Sequence, residues 1–272
     1  MVCTGERCTA FFTKVTFNAC TLGVCNGAQV TLKGPSFEDM AAAAAGLSIF
    51  AHGKGTTVRV QGGSIHGGTQ GVTVQDGARF QASGLSVTNF VAAGLQVQGK
   101  GSRMLLTSCK VHELTPCLEN CRSDGVLVQA GGSAQLKQFR MSACGDGVVA
   151  EHQGSYLEAE GCTFEENSVH GVLATDAAEV LLRCCPSSEN GDSGFVTEHK
   201  ARLKAIGCSA SSCIDTGFAV LCGARCWIAP LPRTTTMGCL FVARVQGWRQ
   251  RSAPSRRMGG VVSSLQLPRR WW

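Results

Sequence analysis

The stretch SYLEAE (155–160) sets Glu158 and Glu160 two residues apart. In an extended strand alternate side chains share a face, which would hold the two carboxyls roughly 7 Å apart. An inverting glycoside hydrolase uses such a separation to seat a water between its acid and its base. A solvated strand face has the same spacing, with Arg183 as charge partner on the next strand, and this is the reading favoured here. Arg59, Arg79, Arg103 and Lys137 recur in comparable settings and would form a basic stripe. Three histidines precede a glycine, in AHG (51–53), IHG (65–67) and VHG (169–171), none with a paired Asp beside it. Cys117 and Cys121 form a C-x3-C whose local third ligand would be His112 alone, so no metal is expected there.

The elements that must position these residues follow from a repeat. Glycines opening an apolar-x-apolar triplet stand at 46, 71, 94, 125, 147, 171, 194 and 217, with Gly23 adding one more interval at the front. Most intervals are 22–25 residues, and each holds two further alternating stretches, such as ARFQA (78–82) and LSV (85–87). Alternation of period two predicts strands with one buried face. Three short strands in so few residues leave no room for a helix, which excludes leucine-rich repeats, ankyrin repeats and βαβ units. A coil of this kind cannot bury its own inner face, so coils must stack. The expected fold is an all-β parallel β-helix of eight or nine coils over residues 1–221.

Within the repeat, Cys109, Cys162, Cys185 and Cys208 are read as one slot, filled by Leu85 and Met141 elsewhere. A slot shared with Leu and Met is a stack of small buried hydrophobes rather than a metal or redox ladder. Asn167 and Asn190 suit tight turns, as do Asp124, Asp146, Asp192 and Thr216 near the glycines. One interval, from 94 to 125, is longer by the insertion HELTPCLENCRS (112–123).

Composition divides the chain. Nine of the 25 Lys and Arg lie beyond Cys222, all of them Arg, which leaves 16 against 19 acidic residues in 1–221, a net of −3. All four Trp fall in 222–272, which is read as a disordered Arg/Trp/Pro-rich tail. Arg with interleaved Trp can hold single-stranded nucleic acid, yet an extension with no packing role is favoured. The N-terminus has no signal-peptide pattern, and the longest apolar run (40–51) is too short to cross a bilayer. The expectations are therefore a cytoplasmic, monomeric protein with reduced thiols and no membrane or nucleic-acid partner. The chain begins inside a coil, as a piece of a longer array would.

The recurrent N-x-x-x-G-V/F-x-V and C-x-F pattern resembles the right-handed parallel β-helix repeats of the pectate-lyase-like superfamily, over about residues 10–221. That resemblance implies the right-handed solenoid. It also implies either a polysaccharide-active enzyme with its substrate along one outer sheet, or a non-catalytic repeat array. The hydrolase motifs NTD, DD, GHG and RIK are not present as a set, and no Asp joins the arginines as a calcium ligand for lyase chemistry. Tyr156 is the one stacking aromatic expected on the face. The expected function is a non-catalytic scaffold binding a protein or carbohydrate partner through Arg59, Arg79, Arg103 and Lys137, without cofactor. The alternative is a polysaccharide lyase or glycoside hydrolase acting on acidic glycans, for which Glu158 and Glu160 are the candidate acids and calcium the cofactor.

Overall fold

The computed structural model describes residues 1–40, 46–112 and 124–229. Most of the insertion, with Cys117 and Cys121, and everything after Ala229 lie outside the described residues. The chain winds as a right-handed solenoid of three parallel sheets. Sheet A has ten strands, from Val2–Thr4 to Phe218–Val220. Sheet B also has ten, from Thr9–Thr13 to Arg225–Ala229, and sheet C has nine, from Thr16–Asn18 to Ser209–Ser211. Each strand pairs in register with its counterpart one coil away, so ten rungs span about 43 Å at the usual interstrand spacing. Among the described residues no helix is long and apolar enough to cross a membrane.

Alternation becomes vertical stacking. Inward residues of sheet A run from Leu22 through Ile49, Val72 and Leu95 to Phe195 and Phe218, all buried. Sheet B contributes Val30, Val58, Phe80 and Met104 along one inner column and Leu106, Leu136 and Leu182 along the next. Phenylalanines stack where rungs align, Phe17 on Phe37 at 4.5 Å and Phe195 on Phe218 at 4.7 Å between ring centroids. Because every rung repeats the previous one, aliphatic side chains fill the core with few aromatics.

The glycines of sheet A answer to space rather than to backbone twist. A Cβ on Gly71 would sit 2.4 Å from the carbonyl oxygen of Gly94, and one on Gly147 would sit 2.5 Å from that of Gly171. The glycine ladder runs from 71 to 217. It does not include Gly46 or Gly23, because Ile49 pairs with Val72 and Leu22 with Ile49, which sets Ser48 opposite Gly71. Alignment on Gly46 and Gly23 thus misplaces the first coils by two residues, an even slip that keeps the inside–outside pattern.

The cysteine slot also differs in one member. Leu85, Cys109, Phe139, Cys162, Cys185 and Cys208 share it, since Arg140 pairs with both Lys110 and Thr163. Met141 lies two residues further on, between Val111 and Phe164. Finally, sheet B continues past residue 221: Arg202–Ile206 pairs with Arg225–Ala229, so the first residues assigned to the tail form a tenth rung.

Candidate functional site

The outer face of sheet B carries three columns of side chains. One reads Thr57, Arg79, Arg103, Ser133, Tyr156, Glu179, Arg202 and Arg225 from rung to rung. The middle column holds Arg59, Glu158, Lys204 and Trp227, and the third holds Lys137, Glu160 and Arg183.

Arg79 and Arg103 are direct neighbours, about 4.8 Å apart in backbone. Arg59 stands diagonally from Arg79, roughly 8 Å away from strand rise and rung spacing combined. All three are exposed, and none is paired with a carboxylate among the described residues. Lys137 is separate: it lies at the far end of its strand and pairs with Glu160 at 3.3 Å. The structure therefore brings together three members of the expected stripe and assigns the fourth to an ion pair.

Both candidate acids are engaged. Glu160 faces Lys137, while Glu158 accepts a hydrogen bond from Gln135 at 3.2 Å and lies 3.9 Å from the Arg183 guanidinium. Glu179 is paired with Arg202 at 3.1 Å. Burial, reinforced by the negative charge of Glu158, pushes the Tyr156 hydroxyl above its ordinary value. With their oxygens committed to neighbouring rungs, these carboxylates form a mixed-charge ladder rather than an acid–base pair.

Three residues of this face escaped sequence reasoning. Trp227, expected in the tail, joins the middle column on the tenth rung and is 56 % exposed, with the Lys204 ammonium 4.3 Å from its ring. It borders a concavity of about 490 Å³ with Tyr156, Glu179, Arg202 and Arg225. Lys54 and Lys100 sit at the corner between sheets A and B, in two Gly-Lys-Gly turns (53–55 and 99–101), and border a concavity of about 600 Å³ with Arg79 and Arg103. The repeated Gly-Lys-Gly is the signal in the sequence that marks them.

The histidine corners need a larger correction. The His170 ring lies between two aspartates from adjoining coils, with Nδ1 2.8 Å from Asp146 and Nε2 3.2 Å from Asp192. Asp146 is buried and also accepts the His170 backbone N–H at 3.0 Å. Burial alone would lower the imidazole. The hydrogen bonds and charges of Asp146 and Asp192 outweigh it and hold His170 above its ordinary value. His52 likewise meets Asp76 at 2.9 Å. The partners were hidden because they come from other coils. Aligned on the glycine ladder, the preceding residues read Asp124, Asp146, His170, Ser193 and Thr216, with Ser193 and Thr216 bonded at 3.0 Å. No described nucleophile is bonded to the His170 ring, which leaves a charged clasp between coils.

The buried cysteines are free thiols. Cys162, Cys185 and Cys208 lie on consecutive rungs; hydrogen bonding to Cys162 pushes Cys185 up to about 12, and Cys185 likewise raises Cys208. Cys162 is lowered by the hydrogen bond from Cys185. Among the described residues no group of three or more His, Cys, Asp or Glu is placed to hold a metal ion.

An all-parallel, three-sheet, right-handed solenoid defines the class. A family model described as a right handed beta helix region matches residues 70–229, and the chain belongs to that family. No curated protein matches. Among solved structures the chain is similar to the crystal structure of pectate lyase Pel9A, with 13 % identity over 85 % of this chain and 80 % of that one, and a TM-score of 0.46.

Proposed function

We propose that the protein is a non-catalytic scaffold that binds an extended protein or glycan partner along the outer face of sheet B. One observation carries this reading. Arg59, Arg79 and Arg103 project from the sheet without carboxylate partners among the described residues, while the acids on the same face are spent on neighbouring cations. Unpaired guanidiniums on a fixed backbone favour recognition, because no internal ion pair has to be broken before they can engage a ligand. Trp227 and Tyr156, further along the face, supply the stacking surfaces that carbohydrate recognition uses. A lyase or hydrolase is less well supported, since Glu158 and Glu160 are both engaged and no acidic cluster that could hold calcium stands among the described residues.

The test is to incubate the full chain with uronate-containing polysaccharides, with and without calcium, following both binding and products. Retention without new reducing ends or unsaturated products is the expected result. Product formation that is lost in Glu158→Gln or Glu160→Gln would replace the scaffold by an enzyme.

A further inference from the structure

The corner between sheets A and B gathers more positive charge than the stripe alone. Lys54, Arg79, Lys100 and Arg103 border one concavity of about 600 Å³, and Arg59 stands one column further out. Four of these cations therefore share a single recess on a body whose net charge is −3. The lining holds one carboxylate, Asp76, which meets His52 at 2.9 Å, and the four cations outnumber it.

The floor is built for close approach. Gly55, Gly77 and Gly101 line it, each with positive φ, so the turns present backbone where side chains would otherwise stand. Gly77 is fixed from below by its N–H, which donates to the Ser102 hydroxyl at 3.0 Å. Two guanidinium forks on adjacent rungs, flanked by two ammonium groups, match a tetrahedral oxyanion: Arg offers paired donors and Lys a point charge.

We propose that this corner binds the sulfate half-esters of a sulfated glycan. The inference rests on the scaffold reading for the choice of face and names the ligand chemistry there. A free anion at such an open site would be held weakly, because solvent and salt screen each exposed contact. A polymer with repeated sulfates engages the corner and the column beyond it together, and its contacts reinforce one another. Sulfate esters stay ionised at every physiological pH and offer three terminal oxygens to four cations. Single-stranded nucleic acid is disfavoured, since among the described residues no aromatic ring lines this recess on which a base would stack.

The experiment is calorimetric titration of the full chain with three probes matched in charge: a chondroitin sulfate oligosaccharide, an oligogalacturonate and a single-stranded DNA oligonucleotide. The variants are Arg79→Ala with Arg103→Ala, Lys54→Ala with Lys100→Ala, and Arg202→Ala with Arg225→Ala at the far end of the same column. The sulfated probe is expected to bind most tightly. Each corner pair should lose about tenfold or more, the arginine pair the most, and the far pair should change little. Arg79→Lys with Arg103→Lys should recover only part of the loss, because the charge returns without the fork. Circular dichroism confirms that each variant folds. Equal or tighter binding of the oligogalacturonate or the DNA would overturn the sulfate assignment. Tight binding of oligogalacturonate that depends on Arg202 and Arg225 would overturn this inference and leave the scaffold standing. Absence of binding by the sulfated probe overturns the inference, and failure of protein and glycan partners alike on sheet B overturns both.

Discussion

The two halves of sheet B's outer face share one backbone and differ in what their charges meet. On the rungs that carry Arg59, Arg79 and Arg103, the neighbours along each column are Thr, Gln, Ser or Leu, or another arginine. On the rungs from Ser133 to Arg202 the acids pair with bases, Glu160 with Lys137, Glu158 near Arg183 and Glu179 with Arg202, while Lys204 lies over Trp227 and Arg225 has no carboxylate partner among the described residues. An outward slot thus acquires its role from the residues one rung away. The later half spends its acids on neighbouring cations, and the earlier half leaves its arginines available to a ligand. Exposed ion pairs contribute little to stability, so the paired half gains order rather than strength from them.

Substitutions on a single strand break this comparison most sharply. Phe80 and Arg79 are adjacent in Arg79–Ser83, one fully buried and the other exposed. Phe80→Ala should cost about 3–5 kcal/mol by opening a cavity in the aliphatic stack. Arg79→Ala should change stability by no more than about 0.5 kcal/mol. Urea melts of both variants provide the check, and a comparable loss in Arg79→Ala would mean that the cation half is structural after all.

The His170 clasp gives an intermediate effect with a defined sign. The folded state holds this imidazole above the ordinary value of 6.5 through Asp146 and Asp192. Its stabilisation is therefore complete below that ordinary value and disappears as pH rises through the raised one. Wild-type melting temperature should fall as the buffer is taken from mildly acidic to mildly alkaline, and His170→Gln should remove that part of the slope. Parallel slopes for the two proteins would show that the clasp carries no linked proton.

The smallest effect belongs to the paired half. Glu179 and Arg202 lie 3.1 Å apart with more than half of each side chain exposed. A double-mutant cycle with Glu179→Ala and Arg202→Ala should return a coupling of about 0–1 kcal/mol, fading with added salt. A coupling well above that range would place the paired rungs among the elements that hold the solenoid together.

Much of the fold was legible because the repeat is short and its alternation nearly unbroken. Leu32, Val60 and Ala82 announce their inward direction by parity alone, whatever the register. Parity fails to distinguish slips of two residues, and the errors in alignment at Gly23, Gly46 and Met141 are all of this kind. The candidate site was legible only as a catalogue of outward residues. Arg79 and Arg103 are 24 positions apart in the chain and adjacent in space, and so are Asp146 and His170.

By itself, the sequence determined that the strands are three to a coil, which side of each faces inward, and that glycine must occupy the crowded corner of sheet A. The physical reason is local: alternation sets direction, and a missing Cβ admits the next carbonyl. Only the tertiary structure decided that Lys137 belongs to Glu160, that His170 sits between two aspartates, that Trp227 extends the face, and that Lys54 and Lys100 join the arginines. Each of these depends on register between coils, and register is settled by packing the whole stack at once.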